Sequence, residues 1–297
     1  MIRLFANTGF EFPIEKVKFP DNTCFFKINT DAISNDFAHE FYINWNYESD
    51  EEFLHVAYIK EHLYQNYNVT KINLVMPYVP NARMDRTKNY YEVFTLKVFA
   101  KMINSLNFNT VYCLDPHSHV SEALFDRMVV LSPNEFIAKM VRKFVDEYNE
   151  KPIIYYSDYS AMKRYSDMES LKNFHYLYGS KVREWLTGEI KGLDILDENN
   201  NKIAEDYPYI GSKVILVDDI ISYGGTMYYG IKNLVEKGMN PVYVYATHTE
   251  QSSFHDEEKG KLKKVMDERE MKLFTTNSVY QGKSENNITV FDILKIY

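Results

Sequence analysis

The stretch VILVDDIISYGGT, residues 214–226, decides how the chain is read. Four apolar residues in a row suit a strand buried on both faces, as in a parallel sheet. Asp218 and Asp219 follow at its carboxyl end, and Gly224-Gly225-Thr226 opens a helical pattern. Glycines let backbone N–H groups approach an anion, and a helix N-terminus adds a favourable dipole. Two carboxylates beside such a cradle repel a bare phosphate. They suit a sugar diol, whose hydroxyls donate to them, or a divalent cation. A phosphorylated ribose satisfies both halves of the stretch.

Working outward, the same grammar repeats. Apolar runs at 72–76, 111–114, 153–156 and 242–246 end in Pro77, Asp115-Pro116-His117, Ser157-Asp158 and Thr247-His248. Helical patterns at 92–106, 135–149 and 226–238 alternate with them. Alternation of this kind predicts an α/β fold with helices on both sheet faces. Ligands of such folds bind at the carboxyl edge of the sheet, where these acids and histidines collect. The segment Leu131-Ser132-Pro133-Asn134 reads as a hinge, with Ser132 or Asn134 capping the next helix.

The 297 residues suffice for two domains, and 45% apolar with 26% charged residues is a globular composition. A net charge of -8 argues against a nucleic-acid partner. No apolar run of membrane-spanning length occurs, and the N-terminus lacks the apolar core of a secretory signal. Cys24 and Cys113 make no disulfide framework. A cytoplasmic protein without a membrane partner is expected.

Residues 214–226 resemble the phosphoribosyl-pyrophosphate loop shared by type I phosphoribosyltransferases and ribose-phosphate pyrophosphokinases. Other segments favour the kinase branch. Residues 76–86, MPYVPNARMDR, are similar to its P-Y-x-x-Y-A-R-Q-D-R segment. Residues 114–126, LDPHSHVSEALFD, are similar to V-D-L-H-x-x-x-x-x-x-F-F-D, and residues 18–29, KFPDNTCFFKIN, to its adenine loop. Ser157-Asp158 resembles the metal loop, and residues 180–183, SKVR, the family's D-K-x-R.

The resemblance implies two tandem type I phosphoribosyltransferase-like domains, 1–132 and 133–297, each a mainly parallel sheet flanked by helices. The last strand is expected to return to the N-terminal domain. It implies Mg²⁺ as cofactor, ATP and a ribose-phosphate acceptor as partners, and a homo-oligomer, dimer or hexamer. Phe19, Asp21, Arg83, Asp85, Arg86 and His117 would bind ATP. Asp218, Asp219, Ser222, Tyr223, Gly224, Gly225 and Thr226 would hold the ribose and its phosphate. His117, Asp158, Asp218 and Asp219 would ligate metal. Lys181 and Arg183 would be catalytic, next to a flap at 184–193.

The chain departs from the family pattern at several points. Asn22-Thr23 replaces the adenine loop's Gly-Glu, and Met84 replaces Gln. Ser222-Tyr223 replaces Asp-Thr in the phosphate loop, and the metal loop lacks its glycine pair. A tyrosine there suits an acceptor larger than ribose 5-phosphate, such as ADP-ribose, as in NAD salvage. A phosphoribosyltransferase and a non-catalytic regulatory homologue are the other readings.

Overall fold

The computed structural model describes residues 1–28, 40–67, 69, 71–183, 190–204, 207–255 and 261–293. Two compact units emerge, Met1–Leu131 and Ser132–Tyr297. The sequence places the boundary one residue later.

The first unit runs β1 (Ile2–Ala6), β2 (Glu11–Phe12), β3 (Ile14–Lys18), β4 (Cys24–Ile28), β5 (Glu40–Trp45), α1 (Glu52–Asn66), β6 (Lys71–Val75), α2 (Thr95–Ser105), β7 (Val111–Leu114), α3 (His119–Leu124) and β8 (Met128–Leu131). Its sheet has the order β2-β1-β5-β6-β7-β8, parallel from β5 onward. β3 and β4 form a separate antiparallel hairpin. Helix α2 buries Leu96, Phe99, Ala100 and Ile103, the three-to-four spacing of one apolar face. These join Leu4, Ile43, Trp45, Leu74 and Cys113 in one core.

The second unit runs α4 (Asn134–Tyr148), β9 (Ile153–Tyr156), α5 (Tyr159–Tyr165), β10 (Tyr176–Arg183), β11 (Ile190–Asp197), β12 (Lys213–Ile221), α6 (Gly225–Glu236), β13 (Asn240–Thr249), α7 (Ser252–His255), α8 (Lys261–Glu268), β14 (Lys272–Thr276) and β15 (Ile288–Phe291). Its sheet is ordered β11-β10-β9-β12-β13-β14-β15, parallel except for the β10–β11 pair. All four residues of β9 are buried, as a strand covered on both faces requires. Helix α4 buries Phe136, Ile137, Met140, Val141 and Phe144, each such side chain contributing about 2 kcal/mol.

Three expectations are corrected. β15 pairs with β14 in the second sheet and does not return to the first unit. Asn134 is the first residue of α4; its side chain accepts from the Ser170 N–H, while the Ser132 hydroxyl accepts from Asn134 N–H. β12 runs on through both aspartates to Ile221, because β13 continues beside it and keeps its backbone paired. The flap at 184–193 lies mostly outside the described residues.

Candidate active site

The second sheet has a topological switch point. From β9 the chain crosses through α5 to β10 on one side; from β12 it crosses through α6 to β13 on the other. The helices that follow diverge there, opening a crevice at the carboxyl ends of β9 and β12. Parallel register puts Val217 beside Tyr156, so Asp218 arrives level with Ser157 and Asp158. β10 pairs Tyr178 with Tyr156 and runs on past this edge to Lys181 and Arg183. Three adjacent strands thus carry Lys181, Asp158 and Asp218 to one edge. A bulge falls between Val182 and Arg183, and the side chains of 181–192 lie outside the described residues.

The acids at this edge are differently placed. Burial, reinforced by Asp219 and more weakly by Asp158, holds the Asp218 carboxyl well above the usual range; a Ser157 hydrogen bond offsets this in part. Asp219 is buried, with Arg164 Nη1 3.2 Å from its Oδ2. Asp158 caps α5, its Oδ1 accepting from Ser160 N–H at 2.9 Å and Ala161 N–H at 3.1 Å. Tyr155 lies beneath, fully buried, with an unpartnered hydroxyl. A Cβ on Gly179 would fall 2.7 Å from that hydroxyl, so glycine is what lets β10 approach.

The loop 222–226 is built on Gly224, the cap of α6, at φ +75°, where a Cβ would meet Leu262. Gly225 begins the helix with nothing within 4 Å of a Cβ position. Open space and free amides at a helix N-terminus make an anion seat. Thr226 is exposed there, and Tyr223 is 48% exposed beside it. Ser222 donates to Glu250 Oε2 at 2.6 Å.

In the first unit, β6 and β7 are neighbours, and the segments after them share one sheet edge. The segment after β6 carries exposed Arg83 and Arg86 and half-buried Asp85; Arg86 Nε lies 3.9 Å from Asp85. The segment after β7 turns at Asp115, buried at φ 46°, and delivers half-buried His117. Phe19 and Asp21 sit at the tip of the β3–β4 hairpin, Phe19 packed on Phe25 at 5.2 Å and 47% exposed. Asp21 accepts from the Thr23 N–H and hydroxyl, which lower its pKa. Asn22 adopts φ 69°, where a side-chain amide tolerates the left-handed region otherwise left to glycine. That explains how Asn stands in the family's glycine position.

Arg164 and Glu250 escape the sequence reading, which names Ser157 only as part of the loop before Asp158. Nothing in its own segment marks Arg164, which gains its role by meeting Asp219. Ser157 and Glu250 acquire partners only through strand register.

No family model matches the chain. Ribose-phosphate pyrophosphokinase of Sulfurisphaera tokodaii is 29% identical over 245 residues, 82% of this chain and 77% of that one. That of Sulfolobus acidocaldarius is 26% identical over the same shares. The chain is similar to ribose-phosphate pyrophosphokinases, as a divergent relative. In fold, the chain is similar to phosphoribosylpyrophosphate synthetase from Mycobacterium smegmatis, TM-score 0.69 at 15% identity, over 96% of this chain and 87% of that one. Among the described residues no helix is long and apolar enough to cross a membrane.

Proposed function

We propose that the chain transfers the β,γ-pyrophosphoryl group of Mg-ATP to the anomeric hydroxyl of ribose 5-phosphate, giving phosphoribosyl pyrophosphate and AMP. The relatives' names support this reading. The observation that carries it is the switch-point edge, where β12 sets Asp218 and Asp219 ahead of Gly225, the helix start with open space at its Cβ position. The loop 222–226 takes the 5-phosphate, and the aspartates take the ribose hydroxyls. Lys181 and Arg183 meet charge growing on the transferred group. In the first unit, Arg83 and Arg86 bind ATP phosphates, with Asp85 holding Arg86 and His117 at the triphosphate. Phe19 stacks on adenine and Asp21 accepts from its amino group.

The donor set at this edge fits Mg²⁺. Hard carboxylate oxygens from Asp218 and Asp158 are the ligands it prefers, and its charge would offset the burial and the carboxylate repulsion that raise Asp218. Asp219, paired with Arg164, completes the set proposed at this edge, and His117 is the metal ligand proposed in the first unit. When bound, the cation would neutralise charge on the phosphates. The chain's own part is positioning: the cradle orients the sugar and the aspartates hold its diol. A homo-oligomer, dimer or hexamer, is proposed from the family.

One observation favours a second acceptor. The 48% exposed Tyr223 ring beside the phosphate seat suits stacking on a group beyond that phosphate, as in ADP-ribose. Incubation of the purified chain with Mg-ATP and either acceptor, read by mass spectrometry, separates the readings. AMP and pyrophosphorylated ribose 5-phosphate are expected. Product with ADP-ribose alone moves the acceptor; AMP with neither leaves a regulatory homologue.

A further inference from the structure

Away from the proposed site, three side chains of different chemistry converge on the first unit. Cys24 opens β4, Glu51 precedes α1, and His55 lies one turn into that helix. Their Sγ, carboxylate O and imidazole N atoms all lie within 4.8 Å of one another. Cys24 Sγ is 4.0 Å from Glu51 Oε1, and His55 Nε2 is 3.4 Å from the same oxygen. Tetrahedral zinc, with bonds of about 2.3 Å to sulfur and about 2.0 Å to nitrogen and oxygen, separates its ligand atoms by about 3.3 to 3.6 Å. The nitrogen–oxygen separation is within about 0.2 Å of that geometry, and the sulfur–oxygen separation has about 0.5 Å to close on binding.

We propose that Cys24, Glu51 and His55 form a site for a thiophilic divalent cation of the Zn²⁺ class, with water as fourth ligand. Thiolate, carboxylate and imidazole together select zinc-like ions over Mg²⁺, which prefers oxygen. Glu51 and His55 are spaced four apart, so both reach one side of the helix start. The Lys16 ammonium, 3.7 Å from Glu51 and 45% exposed, occupies the same oxygen and swings into solvent when the cation arrives. Binding releases the Cys24 thiol proton to solvent and forms the metal–sulfur bond. Glu51 is exposed and Cys24 half-buried, so an ion has a route in. The bound ion would tie the β3–β4 hairpin, with Phe19 and Asp21 at its tip, to α1. None of this depends on the pyrophosphokinase reading.

The test is a Co²⁺ titration of the full-length, reduced protein followed by absorbance. A thiolate-to-cobalt charge-transfer band and a tetrahedral d–d envelope are expected, saturating at one equivalent and bleached by Zn²⁺ but not by excess Mg²⁺. Both are lost in Cys24→Ser and in His55→Gln and retained in Cys113→Ser, with circular dichroism checking that each variant folds. Absence of the band, its survival in Cys24→Ser, or unchanged affinity in a folded His55→Gln protein overturns the site.

Discussion

Asp158 holds two positions at once, as the cap of α5 and as a proposed metal ligand. The roles separate by substitution. Asparagine caps a helix about as well as aspartate, so Asp158→Asn should change stability by less than about 0.5 kcal/mol, whereas Asp158→Ala costs about 1 kcal/mol. The proposed metal role requires the charge, so Asp158→Asn should raise the Mg²⁺ concentration for half-maximal activity at least about tenfold. Unchanged Mg²⁺ dependence in that variant would remove Asp158 from the metal set. Asp218 poses the opposite question. Its folded-state pKa is raised, so the folded chain holds the proton more tightly than the unfolded chain. That contribution to stability is full below the ordinary carboxylate range and is lost as pH rises. Asp218→Asn should therefore melt higher than the parent at neutral pH without Mg²⁺, the gap closing near pH ~4. A gap that widened in acid would contradict the assignment. The site residue that strains the fold is then the one the ligand would relieve.

At the scale of elements, the β12–α6 junction separates two neighbouring glycines. Gly224 sits at φ +75°, and a Cβ there would meet Leu262 at 2.7 Å. Gly224→Ala should cost about 2 kcal/mol in urea unfolding, from backbone strain and overpacking together. Gly225 has no such neighbour and is the first residue of the helix. Gly225→Ala should stabilise by about 0.5 to 1 kcal/mol, as Ala over Gly in a helix does. If the open space at Gly225 seats the sugar phosphate, the same change should raise KM for the acceptor. A more stable variant with unchanged KM would move the phosphate elsewhere.

For the whole molecule, each unit carries its own sheet and an apolar core drawn from its own residues. Residues 1–131 expressed alone should unfold cooperatively by circular dichroism and denaturant titration. A broad, non-cooperative transition would mean that the first core needs the rest of the chain. The net charge of -8 works against binding the two polyanionic substrates proposed above. Local arginines, backbone amides and a divalent cation must then supply the attraction, as proposed for the two sheet edges.

Much of this was legible from residues alone. Runs such as 153–156 and 214–217, too apolar for a sheet with one wet face, specify parallel strands buried on both sides. Glycine pairs and strand-terminal acids specify which edge meets a ligand. These are local properties, set by side-chain transfer energies and backbone sterics within a dozen residues. What needed the tertiary structure was every relation across strands. Register brings Ser157 to Asp218, sets Glu250 against Ser222, and puts Arg164 on Asp219. The folding of β15 into the second sheet, and the meeting of Cys24 with Glu51 and His55, follow from packing between segments far apart in sequence. Composition and periodicity say which face of an element is apolar; only close packing of one element on another selects which polar groups end up within bonding distance.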